Sequence, residues 1–164
     1  MIPPVRIEEV ALADIRPAEY NPRAILPEAR AGLRFSMERF GVVGLVVVNR
    51  RTMRIVGGHQ RHAIMVESGV ERAPVIMVDV DEATEKAMNL TLNNPDIAGR
   101  FTDDVLGRIE ELRKTDAEAF ACLRLAEMAA GEGLLSELIE ERIREKDIGD
   151  VVTTRKCSGC GYEW

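Results

Sequence analysis

The stretch that most constrains this chain runs from Met53 to Gly69, MRIVGGHQRHAIMVESG. A short apolar run, Arg54-Ile55-Val56, ends in two adjacent glycines, and a helical pattern follows without a gap. Gly57 and Gly58 permit a sharp, close-packed turn that a Cβ would obstruct. The helix beyond them presents its first-turn amides and the positive end of its dipole beside His59, Gln60, Arg61 and His62. Free N–H donors, a dipole and a guanidinium in one place suit a phosphate group. The same spelling fits a Gly-Gly turn before an ordinary amphipathic helix with Arg61 in solvent, and the glycine pair alone does not separate the two.

The flanking segments supply a sheet for that turn. Val5 to Leu12 alternates imperfectly and reads as an opening strand. Pro17, Pro22 and Pro27 then forbid a continuous element, so residues 14–27 form a long ordered loop of the kind that often carries function. Within it, Asn21-Pro22-Arg23 sets an amide and a guanidinium on a stiff backbone, as a ligand contact or as a solvent-facing turn. From Glu28 to Phe40, Leu33, Met37 and Phe40 recur at helical spacing with Arg30, Arg34 and Glu38 outward, and Gly41 ends the helix. Leu45 to Asn49 reads as a buried strand, residues 50–53 as a tight turn, and Pro74 to Val80 as another buried strand. Asp81 or Thr84 starts a helix through Asn89 carrying Ala83, Ala87, Met88 and Leu90.

After Asn93-Asn94-Pro95 the character changes. Thr102 reads as an N-cap ahead of Val105, Leu106, Ile109 and Leu112 on one helical face. Further helices are expected over 116–130 and 134–146, and residues 147–164 form a polar tail ending in KCSGCGYEW. Residues 1–72 carry 11 Lys/Arg against 8 Asp/Glu, whereas residues 73–164 carry 11 against 20. The second half therefore has the wrong sign for broad binding to a polyanion, while the first half suits a phosphate or a short nucleic-acid contact. With 46% hydrophobic and 30% charged residues, the chain has the composition of a soluble globular protein. The absence of a membrane-length apolar run and of a leader pattern points to the cytoplasm. Three cysteines, with Cys122 isolated and Cys157 and Cys160 as a CxxC, favour a reducing compartment over a disulfide framework.

Three pieces together carry a family resemblance: NPR before a helix, the run ERFGVVGLVVVNRRTMRIVGGHQRHAIMVESGV, and NLTLNNPDIAGRFTDDVLGRIEEL. They resemble the ParB/sulfiredoxin-type domain over about residues 5–114. The resemblance is greatest to the ParB N-terminal-like domains of phages and mobile elements, which often occur near or fused to DNA methyltransferases. It implies an α+β fold, a small mixed sheet with packed helices over residues 1–100; the residues beyond read as an acidic helical segment over 101–146 and a cysteine-knuckle tail over 147–164. It also implies a nucleotide-phosphate site, with Gly57 and Gly58 at the tight turn and Arg61 as the phosphate-binding arginine. In sulfiredoxins the position of His59 carries the catalytic cysteine, so a histidine there argues against a sulfinic-acid reductase. In chromosome-partitioning ParB proteins that position is usually Glu, followed by two arginines, of which only the second persists here. His59 and Gln60 would tune the base or metal end, and Arg23 would close over the ligand. A later family motif supplies an acidic residue and an Asn near the triphosphate and its metal, and Asn93 and Asn94 occupy the matching neighbourhood, with Asp96 just beyond. The implied ligand is a nucleoside di- or triphosphate, CTP or ATP, with Mg²⁺ as its companion.

Family members are often labelled nucleases, which hold metal ions with clustered carboxylates. Asp79, Asp81 and Glu82 are the best candidates, although acidic caps at a helix start explain them as well. His59 is the candidate acid/base. The CxxC spelling resembles one knuckle of a zinc ribbon, but a structural zinc needs four ligands. Two chains sharing one zinc as a homodimer, recruitment of Cys122, and a metal-free remnant all fit. No helix-turn-helix pattern follows residue 114, so DNA contact would come through a larger complex. Three functions follow: a nucleotide-binding module in DNA-associated regulation or processing; a phosphotransferase, NTPase or nuclease on the same scaffold; and a non-catalytic adaptor with a vestigial site.

Overall fold

Two alternating strands define two chemically different faces of one sheet. In β2 (Val46–Asn49), Val46 and Val48 point into an apolar core while Val47 and Asn49 point to the other side. In β4 (Arg72–Val78), Ala73, Val75 and Met77 are buried, and Pro74 is exposed between them. The expected two-sided burial of β4 therefore gives way to strict alternation, as period-two geometry requires of a strand with one apolar face. β1 (Arg6–Ala11) pairs antiparallel with β4, β4 pairs parallel with β2, and β2 pairs antiparallel with β3 (Arg54–Gly57). The order is β1-β4-β2-β3, a four-stranded mixed sheet. In this computed structural model, residues 4–99, 101–102 and 104–131 are described.

Helices α1 (Pro27–Phe40) and α2 (His59–Glu67) precede β4 in the chain, and α3 (Glu82–Thr91), α4 (Asp104–Thr115), α5 (Ala117–Cys122) and α6 (Leu125–Gly131) follow it. The chain divides into two compact units, Met1–Leu125 and Ala126–Trp164, and every element before α6 lies in the first. The expected helix over 134–146 and the cysteine tail lie outside the described residues.

The apolar layer comprises Leu12, Ile15, Val46, Val48, Ile55, Met65, Ala73, Val75 and Met77, with Met37 of α1 packed against it. Each fully buried Val or Ile contributes about 1.5–3 kcal/mol relative to exposure. Pro27 begins α1, where its missing N–H would have been unpaired anyway, and Gly41 at φ 77° closes it. Phe40, expected on the buried face, is half exposed, and Arg39 lies 5.8 Å from the centroids of Phe35 and Phe40. Arg30 and Arg34, expected to face solvent, both reach Glu67 of α2, clamping the two helices. The helix expected over 116–130 is interrupted by Arg124 in the left-handed region at φ 56°, which separates α5 from α6.

The second face is polar, which apolar periodicity did not anticipate. Asp81 caps α3 by accepting the Thr84 amide at 2.8 Å. The helix then buries Glu85 (0% exposed) and Asn89 (1%), while Leu90 is 62% exposed. Glu85 accepts hydrogen bonds from Tyr20 Oη, Asn49 Nδ2 and, at 2.8 Å, Thr52 Oγ1. Arg54 Nη1 stands 3.9 Å from the same carboxylate. Asn49 also donates to the Val80 carbonyl, and Asn89 donates to the Val56 carbonyl at 2.8 Å. No buried side-chain polar atom among the described residues lacks a partner. Burial pushes the Glu85 pKa up, but the donors and Arg54 outweigh it, and the carboxyl sits below its usual range. Burial and the bond to Glu85 raise the Tyr20 pKa, so Tyr20 remains a donor.

Glu85→Ala removes the acceptor shared by Tyr20, Asn49 and Thr52, leaving one N–H of the buried Asn49 unsatisfied, and is expected to destabilise the fold by about 1–3 kcal/mol in urea unfolding. Because the folded pKa is depressed, the contribution of Glu85 is present above its unfolded value of 4.5 and is lost as pH falls through the folded value. Wild-type stability should therefore drop below about pH 4.5, and Glu85→Gln should flatten that drop.

Candidate functional site

The chain leaves β3 through Gly57 and enters α2 through Gly58. A Cβ on Gly57 would lie 2.8 Å from Leu92 Cδ1. Gly58 has φ +89°, and a Cβ there would approach the Val46 Cα to 3.2 Å. Gly58 is thus required both by its left-handed backbone and by the approach to the β2 main chain, whereas a methyl at Gly57 would displace only the end of the Leu92 side chain. Gly58 occupies the N-cap without a capping side chain. The first bond of α2 runs from the His62 amide to the Gly58 carbonyl at 3.0 Å. The amides of His59, Gln60 and Arg61 therefore form no hydrogen bond within the described residues, and their partial positive charge adds to the helix dipole.

These groups open onto a cavity of about 430 Å³, within the range of small-molecule sites. Its polar lining comes from Asn21, Arg23, His59, Gln60, Arg61 and Asn93 beside Gly57 and Gly58. Ile25, Leu33, Leu45, Val47 and Leu92 form its apolar part. The loop before α1, the end of β3, the start of α2 and the end of α3 thus converge on one place. Arg61 has no acidic partner among the described residues, and its guanidinium lies over Gly44, where a Cβ would be 2.9 Å from Arg61 Cζ. Arg23 Nη1 donates to Asn93 Oδ1 at 2.7 Å, and Asn93 Nδ2 donates to the Asn89 carbonyl at 2.7 Å. Asn94 is not among the lining residues; its Oδ1 accepts the Asp96 amide at 2.9 Å.

His59 has a defined task. Its Nε2 accepts the Ala18 amide at 3.2 Å, so the neutral ring carries its proton on Nδ1. Burial, and secondarily His62, lower its pKa and favour that neutral form. With one nitrogen engaged and the other protonated, the ring has no free basic nitrogen in this arrangement. His62 is buried and donates from Nε2 to the Leu12 carbonyl at 3.1 Å, a packing role.

Asp79, Asp81 and Glu82 line no part of the cavity. Asp79 pairs with Arg51, Asp81 caps α3 and Glu82 pairs with Lys86 at 2.8 Å. No group of three or more His, Cys, Asp or Glu side chains among the described residues is arranged to hold a metal ion. Cys157 and Cys160, the expected zinc ligands, lie outside the described residues. No helix among the described residues is long and apolar enough to cross a membrane. Asn93, from the neighbourhood matched to the triphosphate motif, does line the cavity, whereas Gly44 and Leu92 are supporting or lining residues to which sequence reasoning assigned no role. The one available signal was Gly44 interrupting the apolar run Val42 to Val48, since an isolated glycine there marks a close approach.

A family model described as the ParB N-terminal domain matches residues 3–94. A sequence search of curated proteins gives no match. Among solved structures, the C-terminally truncated chromosome-partitioning protein ParB from Caulobacter crescentus, complexed with CTP-gamma-S, superposes with a TM-score of 0.58. The identity is 16%, over 72% of this chain and 70% of that one. A Pnob8-like ParB-N domain gives a TM-score of 0.49 at 16% identity, covering 82% of this chain and 51% of that one. The Caulobacter crescentus protein complexed to the centromeric parS site gives 0.42 at 18%, covering 71% and 64%.

Gly58→Ala forces a side chain into the left-handed region and is expected to cost about 1–2 kcal/mol by urea unfolding. The depressed His59 pKa adds stability that is present above the unfolded value of 6.5 and is lost as pH falls through the folded value. His59→Gln should weaken that acid dependence when stability is measured across the interval.

Proposed function

The chain belongs to the ParB N-terminal domain family, and on that footing we propose that the cavity at the head of α2 binds a nucleoside di- or triphosphate, in a protein of DNA-associated regulation or processing. The observation that carries this reading is the meeting of three unpaired amides with the Arg61 guanidinium, which has no acidic partner among the described residues. The amides of His59, Gln60 and Arg61 supply directed donors, and Arg61 supplies charge. Among the described residues Arg23 is held only by a neutral amide oxygen, so an anionic ligand competes for it on favourable terms. Leu45, Val47 and Leu92 offer an apolar surface to the sugar and base, with Gln60 as a polar contact.

CTP and ATP are the first ligands to test. The Caulobacter ParB structure carries a CTP analogue and shares the fold, which supports including CTP without fixing the base. The engaged ring of His59 and the absence of a carboxylate among the described residues of the cavity lining favour a binding switch over hydrolysis. DNA would be met through partner domains or a larger assembly.

Equilibrium binding of CTP, ATP, GTP and ADP to wild type and Arg61→Ala tests the reading. At least one nucleotide should bind, and losing charge-assisted bonds worth about 1.5–3 kcal/mol should weaken it roughly 10- to 100-fold in the variant. If no nucleotide binds, even with DNA added, the adaptor with a vestigial site replaces this reading.

A further inference from the structure

The fold family implies Mg²⁺ beside the nucleotide, and the residues of this cavity do not fit that ion. Mg²⁺ is normally held through one or two carboxylates together with substrate phosphates. Among the described residues, the charged groups of the lining are Arg23 and Arg61, and its other polar side chains are neutral amides and a histidine whose Nε2 is engaged. Asn93 Oδ1 already accepts from Arg23 at 2.7 Å. Glu85, the buried carboxylate on the helix that leads to Asn93, accepts three hydrogen bonds and is 0% exposed. Asp81 and Glu82, at the start of that helix, are held by the Thr84 amide and Lys86.

Resting on the nucleotide-binding reading, we propose that this site takes its nucleoside phosphate as the free anion, with Arg61 and Arg23 supplying the positive charge that a divalent cation would otherwise bring. Gly44 is the positioning residue that makes this arrangement available. A methyl group at Gly44 would stand 2.9 Å from both Arg61 Cζ and Nη2 and 3.1 Å from Nε. The guanidinium is the far end of a flexible side chain, so it moves aside without disturbing the backbone. Gly44→Ala therefore displaces the charge and leaves the fold in place. The absence of a side chain at Gly44 lets Arg61 lie close to the main chain at the edge of the cavity, pre-positioned for the ligand.

The test measures nucleotide affinity on the full chain in excess EDTA and in excess Mg²⁺, for wild type, Gly44→Ala, Arg61→Ala and the double variant. Wild type should bind in EDTA, with Mg²⁺ tightening it by less than about tenfold. Gly44→Ala should weaken binding by about tenfold or more with an unchanged urea midpoint, and should add nothing on the Arg61→Ala background. A tightening by Mg²⁺ of about tenfold or more overturns the proposal while leaving nucleotide binding intact. Wild-type affinity in Gly44→Ala, or additive losses in the double variant, overturns the role of Gly44. Absence of binding in both buffers defeats the nucleotide reading itself, a distinguishable result.

Discussion

The buried carboxylate of Glu85 is the interaction on which the polar half of this molecule depends. Moving a lone carboxylate out of water carries a penalty of several kcal/mol, and the protein meets it with donors from three separate segments. Tyr20 comes from the proline-rich loop, Asn49 from the end of β2 and Thr52 from the following turn. Each segment is therefore held to α3 by a group that becomes costly to bury if that segment leaves. An apolar contact in the same place would tolerate sliding; a carboxylate with three directed donors fixes register and orientation.

That anchorage extends to the cavity. Tyr20 lies immediately before Asn21 and Arg23 in the chain, and Asn89 and Asn93 succeed Glu85 on the following turns of α3 and just beyond it. Asn89 ties α3 to the Val56 carbonyl, one residue before the glycine turn, and Asn93 receives Arg23. His59 completes the arrangement by accepting the Ala18 amide, which fastens the same loop to the head of α2. The unpaired amides at the head of α2 thus sit on a helix whose neighbours are tied by directed bonds, and Arg23, among the described residues, is held only by the neutral Asn93 Oδ1.

The strand–glycine–helix unit was legible because its signals are local. Gly41, Gly58 and Gly69 punctuate elements through positive φ, and Asp81 caps through its neighbour Thr84, all within a few residues of chain. Gly57, Gly58, His59, Gln60, Arg61 and Arg23, singled out from sequence, line one cavity. The buried face of α3 was not legible. A helix burying Glu85 and Asn89 while exposing Leu90 inverts the periodicity from which faces are read, and partners as distant as Tyr20 and Asn49 leave no local trace. Gly44 was visible only as a break in an apolar run, because its purpose lies in a guanidinium 17 positions later.

The sequence alone determined the order of elements, the sharp turn into α2 and the cluster of donors at its head, since chain connectivity and backbone sterics decide these. The tertiary structure decided which charges were neutralised and which were left open. Arg30 and Arg34 close on Glu67, Arg51 on Asp79 and Lys86 on Glu82, while Arg61 finds no acid among the described residues and lies over Gly44. Ion pairing depends on distances between segments remote in sequence, so only packing could distinguish an open arginine such as Arg61 from the paired ones.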